Sequence, residues 1–165
     1  MARSCPSRIL LIVAFAVAAS PAMAAVRYVK AAASGANNGT SWTDAYTSLQ
    51  QALVDAIAGD EIWVAVGTYK PSAPGGRSST FQLRNNIALY GGFRGQAGDE
   101  GVNDVTTRPP DPNPAIANPA TDSILSGDLN GDDGPNFTNN GDNVYHVVTG
   151  NGTNLTAILD RCTTH

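Results

Sequence analysis

Between Asp60 and Tyr69 the chain alternates apolar and other positions, with Ile62, Val64 and Val66 on one face and Gly67 breaking the run before Thr68 and Tyr69. A period of two ended by glycine predicts a short strand with Ile62, Val64 and Val66 facing the interior. Just upstream the period changes. Tyr46, Leu49, Leu53 and Ile57 are spaced three, four and four apart, with Ala45, Ala52 and Ala56 beside them and Gln50, Gln51 and Asp55 opposite. That stripe predicts one amphipathic helix over about 44–58, N-capped by Thr43 or Asp44 and closed by Gly59.

The rest of the pattern is short strands between turns. Val26 to Lys30, Phe81 with Leu83, Ile87 with Leu89, Ser123 to Ser126, Val144 to Thr149 and Leu155 to Asp160 are each too short for a helix, and most are bounded by Gly, Asn or Asp. Ala31 to Thr43 reads as a loop around the turn Asn37-Asn38-Gly39. Two connections are longer than a compact sheet needs, Pro71 to Ser79 and the proline-rich stretch over about 95–122, and the second is expected to project from the domain.

The N-terminal apolar run is read differently, because Met1 to Ala24 has the three parts of a secretory signal peptide. Arg3 and Arg8 form a basic region, Ile9 to Ala19 is uninterruptedly apolar but too short to span a bilayer, and Ala22-Met23-Ala24 supplies a small-x-small cleavage pattern. The organisation expected is therefore a signal peptide over 1–24 and one domain over 25–165, secreted or held at the cell surface. Removing 24 of 165 residues leaves 141, enough for one modest domain. Two of the ten Lys and Arg residues leave with the signal, so fourteen acidic side chains face eight basic ones. That balance argues against nucleic acid and against a polybasic membrane patch. Cys5 leaves as well, and Cys162, as the remaining cysteine, has no intrachain partner for a disulfide. No later segment is apolar for long enough to form a transmembrane span.

Several stretches together resemble a known family. Tyr28 to Trp42, the helix, Gly59 to Tyr69, Phe81 to Asn85, Leu89 to Phe93, Ile124 to Asp128 and Tyr145 to Val148 are similar to the N-terminal part of secreted bacterial proteins with right-handed parallel β-helix repeats. These belong to the pectate-lyase-like superfamily and include adhesin-like and polymorphic outer-membrane-like proteins. The resemblance implies a mainly all-β fold of stacked rungs, aliphatic side chains inward, with the Tyr46 to Ile57 helix capping the open N-terminal end. It covers most of the mature chain but departs after Asp160, where family members continue into many more rungs and this sequence reads Arg161-Cys162-Thr163-Thr164-His165. The expectation drawn from that departure is a truncated parent.

The superfamily contains lyases, hydrolases and adhesins, so the fold alone does not select an activity. The function expected is a non-catalytic module for adhesion or contact with an extracellular polysaccharide or cell-surface glycan. The alternatives are a fragment of a polysaccharide lyase or glycoside hydrolase, and the start of a longer protein with no function of its own.

The most suggestive polar cluster is Asp128-Leu129-Asn130-Gly131-Asp132-Asp133-Gly134. Asp128, Asn130 and Asp132 alternate as in the first half of a calcium loop, since a hard cation needs converging oxygen ligands, and Asp133 adds a fourth. The match is incomplete: Asp133 stands where a glycine is expected and Asn139 where a bidentate glutamate is. The same residues also suit a tight turn, so Ca2+ binding and a plain turn both remain open. A lyase would need a base such as Arg84 or Arg94, and a hydrolase would need two carboxylates, for which Asp128, Asp132 and Asp133 are the clustered candidates. His146 has no matching nucleophile, and Cys162 has no activating base. Trp42, Trp63, Tyr69 and Tyr90 offer either stacking faces for sugars or buried packing.

Overall fold

A computed structural model describes residues 23–71, 76–101 and 122–165. Residues 1–22 of the expected signal peptide, 72–75 of the first long connection and 102–121 of the second lie outside the described residues.

Among the described residues nine strands form three sheets: β1 (Val26–Val29), β2 (Glu61–Ala65), β3 (Gly67–Tyr69), β4 (Phe81–Gln82), β5 (Ala88–Phe93), β6 (Ser123–Leu125), β7 (Val148–Thr149), β8 (Ile158–Asp160) and β9 (Cys162–Thr164). The sheets are ordered β1-β2-β5-β8, β3-β6-β9 and β4-β7. Each of these pairings is parallel. From β2 onward the chain visits the first, second and third sheets in turn, repeats the cycle, and then enters the first and second again. Registers follow that recurrence, with Ile62 beside Leu89 and Leu89 beside Leu159, and Thr68 beside Ile124 and Ile124 beside Thr163. Strands occupy 29% of the structure and helices 11%, so it is strand-rich, with parallel sheets and little helix.

The helix is shorter than the apolar stripe predicts. α1 spans Leu49–Asp55, and its N-cap is Ser48, whose hydroxyl accepts the Gln51 N–H at 3.4 Å. Thr43 and Asp44 do not cap it. The Asp44 carboxylate instead accepts the Ala36 N–H at 2.7 Å and the Ser41 hydroxyl at 3.3 Å, which folds the preceding loop back on itself. Tyr46 donates its N–H to the Tyr28 carbonyl and accepts from the Lys30 N–H. Backbone pairing along β1 has thus taken a residue that periodicity assigns to the helix, because a tertiary ladder satisfies the same groups a helical turn would. At the other end Ala56 is extended and serves as the C-cap in place of Gly59. Arg84 reinforces that end by donating to the carbonyls of Leu53 and Ala56 at 3.0 and 2.9 Å.

The stretch from 60 to 69 is two strands. Ile62 and Val64 are fully buried in the main core as expected, while Val66 lies between β2 and β3 and is only half-buried. The pairing with β5 shifts register between Trp63 and Ala65, where β5 carries an extra residue, and at Val66 the chain leaves β2 for β3. Ser123 supports the irregularity: its hydroxyl lies 2.9 Å from the carbonyls of both Val64 and Ala65 and accepts the Gly92 N–H.

Burial on β2 is two-sided. Ile62 and Val64 join Val29, Leu89, Leu125 and Phe81 in the main core, whose helical side is Leu49, Ala52 and Leu53. Trp63 and Ala65 point the other way into a second cluster with Tyr28, Trp42 and Phe93. There Trp63 stacks on Phe93 with ring centroids 4.7 Å apart, and Tyr28 meets Trp42 edge-on at 4.8 Å. The main core extends to Val148, Leu159 and Cys162, which are half-buried. Replacing Leu89 with alanine is expected to cost about 2–5 kcal/mol in urea unfolding, the usual range for emptying a packed aliphatic site. Leu155→Ala, at a fully exposed side chain, should stay within about 0.5 kcal/mol.

Candidate functional site

The acidic stretch follows directly from β6. Ser126 donates its N–H to the Tyr69 carbonyl, Gly127 binds the His165 carbonyl, and the chain then turns at Asp128, which is 9% exposed. The Asp128 carboxylate accepts the N–H groups of Gly131 at 2.5 Å, Asp133 at 3.1 Å and Asp132 at 3.3 Å. Gly131 has φ +77°, a left-handed conformation that favours glycine, and the Lys70 ammonium lies beside it. Lys70 reaches across from the end of β3 and donates to the Leu129 carbonyl at 3.1 Å. Burial alone would raise the Asp128 pKa. The N–H groups of Asp133, Gly131 and Asp132, with Lys70 beside them, outweigh that effect and hold the carboxyl below its ordinary range.

Three carboxylates converge here, those of Asp128, Asp132 and Asp142, each with an oxygen within 4.8 Å of the others. Two oxygens bound to one calcium ion at about 2.4 Å can be no farther apart than that, so the spacing admits a hard cation. Of the four residues expected from sequence, Asp128 and Asp132 are brought together. Asn130 meets the group through its backbone, donating its N–H to Asp142 at 2.7 Å, and the Asp133 carboxylate accepts the side-chain amide of Asn143 at 2.7 Å. Asp142 was not visible from spacing, because it lies beyond the alternating segment and is returned to it by turns at Pro135–Phe137 and Asn140–Asp142. Left-handed Asn136, Phe137 and Asn139 make those turns, and the density of Asn and Gly was the available signal.

The other candidates are placed as follows. Arg84 is engaged by two carbonyls at the end of α1, so its guanidinium supports the helix. Arg94 and His146 are exposed, and Cys162 is a free, half-buried thiol on β9. Trp42, Trp63 and Tyr69 are 1%, 2% and 3% exposed, so they form core and offer no face to a sugar, while Tyr90 is half-buried. The Tyr69 hydroxyl donates to the Ala65 carbonyl at 2.9 Å, and burial pushes its pKa well up. Between the start of α1 and β3 an open cleft of about 490 Å3 is lined by Thr47, Ser48, Gln50, Thr68 and Lys70. Lys70 therefore borders both the cleft and the acidic turn.

No family model matches the chain, and neither a curated protein nor a solved structure matches it. No helix among the described residues is long and apolar enough to cross a membrane.

Because the Asp128 pKa is depressed in the fold, its carboxylate contributes stability that is present above the ordinary carboxylate pKa and is lost as pH falls through the lowered value. Asp128→Asn is therefore expected to lower the melting temperature at neutral pH and to flatten the acid limb of the stability profile. Millimolar calcium is expected to raise the melting temperature of the parent and not that of Asp142→Asn, measured by calorimetry with and without a chelator. An unchanged parent would leave the three carboxylates as parts of a turn alone.

Proposed function

We propose that the protein is a secreted or cell-surface module built as a right-handed parallel β-helix beneath an N-terminal helical cap, and that it serves adhesion or carbohydrate contact without catalysis. The observation that carries the reading is the recurrence of the chain through three parallel sheets in the same order. Such a path is what a coil of stacked rungs requires, and parallel crossovers are right-handed in nearly all folds. α1 packs against β1, β2 and β4, which include the first edges of two of the sheets, and a cap is needed where apolar interior and unpaired strand edge would otherwise meet water.

The cleft beside α1 supports the contact role. Hydroxyls from Thr47, Ser48 and Thr68 and the Lys70 ammonium give it donors and acceptors suited to sugar hydroxyls or a uronate, in a volume typical of small-ligand sites. The acidic net charge fits an extracellular surface and disfavours nucleic acid. For the enzyme alternative, Arg84 spends its guanidinium on helix carbonyls, which leaves the exposed Arg94 as the candidate base.

On this reading the protein binds one or more members of a panel of pectin, alginate and host-type glycans, and incubation releases neither unsaturated uronides nor new reducing ends. Thr68→Trp, at an exposed position that lines the cleft, should abolish glycan binding and leave the melting temperature unchanged. Turnover of any glycan in the panel would refute the non-catalytic role.

A further inference from the structure

The Asp60 carboxylate is buried, 1% exposed, at the point where the helix connection enters β2. It accepts three donors from two parts of the chain: the Ala25 N–H on one oxygen at 2.9 Å, and the Arg27 guanidinium at 3.0 Å and the Ile57 N–H at 3.1 Å on the other. Ala25 is held from its other side too, because its carbonyl accepts the Glu61 N–H at 3.0 Å. Met23, Ala24 and Ala25 themselves are exposed. One of the donors to a buried carboxylate is thus the backbone nitrogen that follows Ala24, the last residue of the small-x-small pattern.

We propose that signal cleavage after Ala24 completes this site, by converting the Ala25 amide into an α-ammonium group that pairs with the buried Asp60 carboxylate. The proposal rests on the secretion reading given above. Hydrolysis of the Ala24–Ala25 peptide bond consumes one water, leaves the carboxylate on Ala24 with the departing peptide, and leaves the amine on Ala25, which is protonated at neutral pH. In the precursor the same nitrogen is an uncharged amide donor to the carboxylate. In the mature chain the donor is charged as well, so the bond becomes an ion pair and is stronger, and Ala25 is exposed, which leaves the ammonium access to water. Arg27, the cation already paired with this carboxylate, is 25% exposed, so its attraction is partly screened by water. Processing thereby makes the folded state more stable than it is while the signal peptide is attached.

Arg27 on β1 is the charged group on Asp60, and it also meets the Tyr46 hydroxyl, which donates to Asp55 on α1; Glu61 follows Asp60 at the start of β2, and Arg84 lies at the end of α1. The Glu61 carboxylate accepts the Trp63 indole N–H and the Arg84 guanidinium serves helix carbonyls, so Arg27 is the cation already committed to Asp60. An ammonium stabilised in the fold has its pKa raised above the ordinary α-amino value of about 7.7–8.0. Its contribution is then fully present below that value and is lost as pH rises through the raised one.

The test uses the chain 25–165, both as a secreted product and freed with a native Ala25 terminus from a fusion. The secreted product should begin at Ala25 by mass spectrometry. The α-amino group of Ala25, followed by NMR, should titrate about one unit or more above its ordinary value, and Asp60→Asn should return it there. Should Asp60→Asn fail to fold, one glycine added before Ala25 provides a second comparison. That extension restores the amide, and it should lower the melting temperature at pH 6–7 but not at a pH where the amine is neutral. An ordinary α-amino pKa in the folded chain, an extension without effect, or a secreted product starting elsewhere would each overturn the proposal. Absence of secretion would refute the reading beneath it, whereas the titration of the fusion-derived chain does not depend on export.

Discussion

A buried carboxylate holds the beginning of this structure together. Asp60 binds the start of β1 through Ala25 and Arg27, ends α1 through the Ile57 N–H, and through its own carbonyl accepts the Ala88 N–H that opens β5. Burying an unpaired carboxylate would be prohibitive, so the chain segments that supply donors must arrive together. Burial would raise the Asp60 pKa, but the N–H groups of Ile57 and Ala25 and the Arg27 guanidinium bring it below the ordinary value. The end of the helix and the first parallel pair are thus set by one charged group.

From that junction outward the structure depends on parallel pairing, and parallel sheets are stable when both faces are covered. The inner face of β2 meets the aliphatic core and the underside of α1, while the outer face carries Trp63 into the aromatic cluster. The loop from Ala31 to Thr43 and the segment around Glu100 cover that cluster. Glu100 accepts the Trp42 and Gly98 N–H groups, and the Tyr28 hydroxyl accepts the Gly101 N–H. Segments that read as polar loop thereby act as the outer wall of the sheet. The same economy governs the acidic turn, where Asp128 organises the backbone it precedes and brings the Asp132 and Asp142 carboxylates beside it. A cleft lined by hydroxyls and one ammonium lies on the near side of that turn.

Much of the architecture was legible because it follows from local periodicity. The alternation at Ile62 and Val64, the stripe at Leu49 and Leu53, and the short runs at Leu89 and Ile124 each survive as buried positions in the elements expected of them. What failed were the boundaries. Tyr46 and Ile57 fit the helical stripe, yet one joins β1 by backbone pairing and the other turns out of α1 onto Asp60. Val66 fits the strand alternation, yet it falls at the corner between β2 and β3 and is only half-buried. In the acidic turn, spacing pointed to Asp128, Asn130, Asp132 and Asp133, and the fold selected Asp128, Asp132 and the more distant Asp142.

The sequence by itself determined where strands and the helix begin to form and that the charge is acidic, since each depends on residue type and near neighbours. Only the tertiary structure decided which carboxylates converge, which aromatics are core, and that the nitrogen of Ala25 ends on Asp60. Those outcomes join residues far apart in the chain, such as Ala25 with Asp60 and Trp42 with Glu100, and local pattern carries no information about such meetings. They are settled by the need to pair every buried polar group and cover every sheet face at once.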